Sequence, residues 1–292
     1  MAWSVNDSLG AQNPKAVIKY LREIGDDEAA DKLDARGGTG QGLSLPWQDQ
    51  VYGYTSLLIG YIPAQPTKTM AAIENAVLLP PDPTLKNSRV KITLEQLYVH
   101  CYPGRGQHEI LCEFTGKNQA GGEQEEMQFA LTAKANDGAA ASINGAPIFL
   151  GVTVGNNGIA FEGRTINVGS KGDEDFLAAL SGGSFRDGLN LLTTVQPALK
   201  PFVGLASSVV GAVLKRSKNK QIHSFNLGLD FSEGQTSVAL RHGSFAIIQT
   251  DDHEWDWSKL AWNVDSQRIV QNDTGAVIPF NYIILKISPF DD

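Results

Sequence analysis

The sequence predicts a mainly β protein: an antiparallel β-sandwich with a helical insertion and a short N-terminal helical hairpin. Three observations carry that expectation. From Val90 onward, apolar residues alternate through segments such as "RVKITLEQLYVHCY" and "EMQFALTAKA", the period-two pattern of half-buried strands. The closing "AVIPFNYIILKIS" is apolar at nearly every position, which fits a central strand covered on both faces. Helical periodicity is largely confined to the first 37 residues, a short stretch at 67–79 and a section from about Asp173 to Lys218.

The opening elements are set by local chemistry. In "NPKAVIKYLREIG", Asn13 is a natural N-cap and Pro14 suits the first helical position. Val17, Leu21 and Ile24 fall on one face, and Gly25 is a C-terminal stop. "DDEAADKLDARGG" reads as a second helix, opened by acidic residues and closed by Gly37 and Gly38. Residues 1–40 thus form a hairpin too small to hold its own core, expected to pack on the body of the protein or on a neighbour.

Residues 41–89 read as an irregular connecting region packed on the main domain, holding a strand in "VYGYTSLLIGYI" and a short helix in "TKTMAAIENAVLL". Pro80, Pro81 and Pro83 mark a boundary, so the sandwich domain is placed at 90–292. Within it, "PGRG" is expected to turn "RVKITLEQLYVHCY" back as a hairpin with "HEILCEFTG", with Ile92, Leu94, Leu97 or Tyr98, and Val99 facing inward. Two further strands flank the tight-turn residues Asn156, Asn157 and Gly158.

Composition narrows the function classes. The 292-residue chain is long enough to bury a core without metal or disulfide staples. A net charge of −8 argues against broad affinity for nucleic acid. The N-terminus shows no basic segment followed by an apolar run, and there are only two cysteines, Cys101 and Cys112; a reducing cytoplasm is expected. No cofactor is implied. HExxH, P-loop, dinucleotide and G-x-S-x-G patterns are missing from the sequence, so no catalytic residue is assigned.

Three groups remain as candidate sites. In "HCYPGRGQHEILC", His100 and Cys101 alternate along their strand, so His100, Cys101, His108 and Cys112 cannot converge on one metal; no metal site is assigned. In "TDDHEWDW", Asp251, Asp252, Trp255 and Trp257 form a possible ligand loop, either as an exposed aromatic platform or as a closure of the sandwich end, which is favoured.

The third is "PFVGLASSVVGAVLKRSKNK". Its fourteen uncharged residues would make a helix of about 21 Å, short of the roughly 30 Å hydrocarbon core. Phe202, Leu205, Val209 and Val213 line one side, and Lys215, Arg216, Lys218 and Lys220 cluster at the end. With Gly204, Ser208 and Gly211 forming a stripe of small residues, the helix is expected to be buried or to meet a partner.

Three functions follow as expectations, the third being a ligand-binding or hydrolytic sandwich that uses the Trp255 to Trp262 loop. The leading one is a non-enzymatic binding or assembly protein acting through protein–protein contacts, with a homo-oligomer expected. The alternative is a membrane-acting, pore-forming or lipid-perturbing effector using residues 187–216.

Overall fold

The computed structural model describes residues 4–37, 50–120, 123–143, 145–169, 210–232, 237–252 and 254–290. The N-terminal helices are α1 (Pro14–Glu23) and α2 (Asp27–Gly37). Asn13 caps α1 by accepting a hydrogen bond from the Ala16 amide at 2.9 Å, with Pro14 in the first turn. Gly25, at φ 81°, ends the helix in the left-handed region. Val17 and Leu21 are fully buried, so the apolar stripe faces the body of the protein.

Fifteen strands follow among the described residues: β1 (Leu57–Pro63), β2 (Met70–Ala72), β3 (Glu74–Asn75), β4 (Arg89–Val99), β5 (Gln107–Ala120), β6 (Glu123–Asn136), β7 (Ala139–Ala140), β8 (Ala146–Thr153), β9 (Ile159–Val168), β10 (Asn219–Asp230), β11 (Val238–Ala239), β12 (Gly243–Gln249), β13 (Leu260–Asn263), β14 (Arg268–Gln271) and β15 (Tyr282–Pro289). They build three sheets. A seven-stranded sheet runs β3-β1-β12-β15-β4-β7, with β8 also on β4. A five-stranded sheet runs β11-β10-β9-β5-β6, and a small one runs β14-β13-β2. All described strand–strand pairings are antiparallel except the short β10–β11 contact; the isolated Ser8–Gln221 bridge is also parallel.

The expected central strand is β15, between β12 and β4. Ile283, Leu285 and Ile287 enter the main core between the two large sheets, while Tyr282 and Ile284 enter a second cluster with Ile248, Leu260 and Ile269. The near-continuous apolar run thus has a direct cause: the small sheet covers the face that the sandwich core does not. In β4 a register shift beside Glu95 breaks the alternation. It sends Leu97 and Val99 into the main core and Tyr98 to the other cluster, where its ring stacks on Tyr282 at 4.8 Å.

Several expectations are corrected. β4 and β5 do not form a hairpin: β4 pairs with β15, β7 and β8, and β5 with β6 and β9. The 100–106 segment crosses from one sheet to the other. β8 and β9 likewise flank their tight turn yet belong to different sheets. The helix expected in 67–79 is instead β2, β3 and a 3-10 turn at Ala76–Leu78, because pairing to β13 and β1 overrides a modest helical propensity. Within residues 50–89, β1 is an integral strand of the large sheet. The strand expected at Val51–Ile62 opens as a 3-10 turn at Val51–Gly53 before β1 begins. Most of the expected helical insertion lies outside the described residues; a helical turn is seen at 210–214.

The β8–β9 corner supplies a prediction. Gly158 has φ 92°, and a Cβ there would lie 2.0 Å from the Leu229 carbonyl oxygen. The obstacle is backbone, which cannot swing away. Gly158→Ala is expected to cost about 2–4 kcal/mol, read as a lower urea midpoint at unchanged slope.

Candidate functional site

The α1–α2 hairpin closes one end of the sandwich, and the closure is polar. Asn167 of β9 donates from Nδ2 to the Tyr20 hydroxyl at 3.2 Å and to the Pro103 carbonyl at 2.8 Å. Asp26, just ahead of α2, accepts from the Ala29 amide at 3.3 Å and, through its other oxygen, from the Gly104 amide at 2.9 Å. One carboxylate therefore joins the start of α2 to the loop between the sheets.

That loop is held from two further sides. The Asn281 side chain accepts from the amides of His100 (2.8 Å) and Cys101 (3.1 Å) and donates to the Cys101 carbonyl (3.1 Å). Asp137 Oδ1 accepts from the Tyr102 amide at 2.9 Å and lies 2.8 Å from His108 Nε2. Tyr102 is buried, with its hydroxyl 2.6 Å from Thr165 Oγ1.

Between α2, this loop and residues 50–52 lies a cleft of about 240 Å³. Gln50 and Tyr52 form buried wall, Cys101 is partly buried, and Asp26, Lys32, Arg105 and Asp137 contribute charge. Glu28 at the rim takes Lys32 at 2.9 Å and Arg105 at 3.5 Å. Burial, with the negative charge of Asp137 and Asp26 behind it, pushes the Cys101 thiol up to about 12. It is therefore a neutral thiol at physiological pH rather than a thiolate nucleophile. Burial likewise raises Tyr52 well above the ordinary tyrosine range and lowers His100 below the usual histidine value. Such a cleft is equipped to bind through hydrogen bonds and charge.

The four residues of the "HCYPGRGQHEILC" motif are dispersed. Cys112 is buried in the main core, His108 sits beside Tyr102 and Asp137, and Cys101 faces the cleft. Among the described residues, no group of three or more His, Cys, Asp or Glu is placed to hold a metal ion.

The candidate ligand loop has structural duties. Asp251 accepts from the amides of Thr55 and Ser56 at 3.2 and 2.9 Å, aligning the start of β1. Asp252 accepts from the Glu254 amide at 2.9 Å. Trp255 and Trp257 meet edge-on with centroids 5.6 Å apart, and Trp255 meets Phe280 at 5.3 Å. Both pack against the second core cluster, and Trp257 lies flat enough on Gly60 that a Cβ there would come within 2.5 Å of its ring.

In the insertion, Phe202, Leu205 and Val209 lie outside the described residues. Val213 belongs to the main core, so the docked turn does not offer it to a partner or a lipid. Lys215, Arg216 and Lys218 are exposed, and Lys220 is half-buried as the second residue of β10. Among the described residues, no helix is long and apolar enough to cross a membrane.

The cleft was missed by sequence reasoning because its walls come from four separate stretches of chain. The one local hint was the Gly25-Asp26-Asp27 sequence between the helices, which marks a capped turn but not what faces it. Comparison with known proteins returned no match: no family model, no curated protein and no solved structure aligns significantly with the chain.

Proposed function

We propose that the protein is a non-enzymatic binding and assembly module, acting through protein–protein contacts with a second copy of itself. One observation carries this reading: the open edge of the seven-stranded sheet at β1. The Gln249 amide donates to Asn281 on the β15 side, at 2.9 Å. Its partner Leu57 therefore turns its N–H and C=O away from β12, and Ile59 does the same two residues on. β3 pairs only with Gly60 and Tyr61. Among the described pairings no strand lies opposite Leu57, whereas the Gly60–Asn75 pair brings the Ala76 amide to the Ile59 carbonyl, so on Ile59 it is the amide that β3 leaves unpaired.

An unpaired edge is a template for another strand. Two copies related by a twofold axis at Leu58 would place Leu57 opposite Ile59 of the second copy, with each Ile59 amide donating to the Leu57 carbonyl across the axis, two backbone hydrogen bonds in all. At about 1 kcal/mol each, these are outweighed by the cost of association. Side chains must contribute, and Leu78, 71% exposed on the 3-10 turn that follows β3, is available to do so. Assembly should thus be concentration-dependent. The same reading places the protein in a reducing compartment such as the cytoplasm, which suits its free cysteines Cys101 and Cys112.

Size-exclusion chromatography with light scattering tests it. The wild type is expected to exceed monomer mass increasingly with concentration. Ile59→Pro, which removes an outward donor, and Leu78→Glu are each expected to restore the monomer with the melting cooperativity retained. A wild type that stays strictly monomeric at every concentration overturns the reading.

A further inference from the structure

We propose that Arg241 is the positioning residue of the assembly surface: it clasps the proline-rich strap after β3 against β1, and so sets where Leu78 and the β1 edge meet a second copy. The inference rests on the assembly reading above and names the residue that controls that surface. The strap is residues 76–85. Ala76 and Leu85 bury its two ends in the main core, while Leu78 stands exposed between them.

The stretch between those anchors is poor in donors. Pro80, Pro81 and Pro83 carry no N–H, so the backbone alone offers little to hold the strap to its surroundings. Two bonds tie it to residues 240–242, which link β11 to β12. The Asp82 amide donates to the Leu240 carbonyl at 2.8 Å. Arg241 Nη1 donates to the Pro80 carbonyl at 3.1 Å, supplying from a side chain what the prolines lack.

The same guanidinium is joined to β1. It lies over the Tyr61 ring, 5.2 Å from the centroid, a cation–π contact. Tyr61 is the β1 residue that pairs with Glu74 of β3, and its hydroxyl donates to the His242 carbonyl at 2.8 Å. Gly243 packs so closely on the ring that a Cβ there would lie 2.4 Å away, so the ring cannot swing toward it. Arg241 Nε is buried without a hydrogen-bond partner among the described residues. The guanidinium is thus held by the Pro80 carbonyl and the ring, not by a bidentate carboxylate pair, and its duty is geometric. One side chain connects the edge strand, the β3 pairing and the strap two residues beyond Leu78. Without it, Leu78 moves with the strap, and the two-residue pairing of β3 with β1 frays.

The test joins light scattering with hydrogen exchange on the full chain. Arg241→Gln is expected to weaken self-association by about tenfold or more, with cooperative melting retained. In the dilute monomer, amides of 74–85 should exchange about tenfold faster or more, while those of β9 and β15 keep their wild-type rates. Arg241→Lys, which keeps one donor for Pro80 but not the planar stack, should fall between the two on both readouts; it also carries the test if the glutamine variant fails to melt cooperatively. Self-association unchanged in a variant, or unchanged exchange over 74–85, overturns this inference and leaves the assembly reading standing. A wild type that never exceeds monomer mass overturns both.

Discussion

Replacing Arg164 by alanine should destabilise the protein by about 3–5 kcal/mol, the usual result of leaving one half of a buried ion pair behind. Glu113 on β5 is 2% exposed, and the Arg164 side chain on β9 is 11% exposed. Arg164 Nε donates to Glu113 Oε2 at 2.7 Å, and Gln128 of β6 donates to the other carboxylate oxygen. Arg164 also reaches Gln221 of β10 at 3.4 Å, and Gln221 in turn donates to the Ser4 carbonyl and the Ser8 hydroxyl at 3.1 and 2.9 Å. The network thus spans four strands of one sheet and ties the N-terminal segment across it.

Burial raises the Glu113 carboxyl, and Arg164 opposes the rise. Without the arginine, the folded state favours the neutral acid more strongly. The deficit of Arg164→Ala should therefore be largest above the ordinary glutamate range and shrink as pH falls into it, where the unfolded carboxyl is also protonated. The double variant Glu113→Leu/Arg164→Met should recover most of the loss, because no charge is then left buried. Urea denaturation at pH 7 and pH 4.5 reads both effects. An Arg164→Ala loss below about 1 kcal/mol at pH 7 would show that the pair behaves as a surface salt bridge.

His223 should make the fold acid-sensitive in a defined window. It lies on β10 opposite Thr165, on the same inward face as Phe225, is 5% exposed, and its Nε2 is buried without a partner among the described residues. Burial lowers it from the ordinary 6.5 to about 4. Above 6.5 both folded and unfolded forms are neutral and no penalty applies. Between about 6.5 and about 4 the unfolded chain binds a proton that the fold refuses, so stability falls as pH falls. The full loss is about 3 kcal/mol, reached below about 4.

His223→Leu should flatten the stability–pH profile by that amount relative to the wild type. It should cost little at pH 7, since it removes an unsatisfied buried nitrogen. His100 and His242 are also lowered by burial, so the variant should retain a shallower slope. Parallel profiles for wild type and variant between pH 4 and 7 would refute the assignment.

How far the sequence reaches can be seen at particular residues. The hairpin helices were legible because their signals are local: Asn13 caps the amide of Ala16 three residues away, and Gly25 takes the left-handed stop. The final strand was legible because burial on both faces demands an apolar residue at nearly every position. The partners of β4, β5, β8 and β9 were not. "PGRG" and "NNG" specify that the chain reverses, but not whether the next strand bonds to the last one or crosses to the opposing sheet. That choice rests on which sheet buries which face.

The candidate sites divide the same way. Trp255 and Trp257 were visible as an aromatic pair, and their covering of Gly60 and the second core cluster is a tertiary fact. Glu113 and Arg164, 51 residues apart in the chain, carry no sequence signal as a pair, since neighbouring strands bring them together.

By itself, the sequence determined the strand-rich character, the two capped helices and the doubly buried last strand, because each depends on residues a few positions apart. Only the tertiary structure decided that the small sheet backs the sandwich, that β1 ends in an open edge, and that Asp26, Gln50, Cys101 and Asp137 share one cleft. Those depend on contacts between distant segments, and the free energy of burying two faces at once, rather than any local preference, selects them.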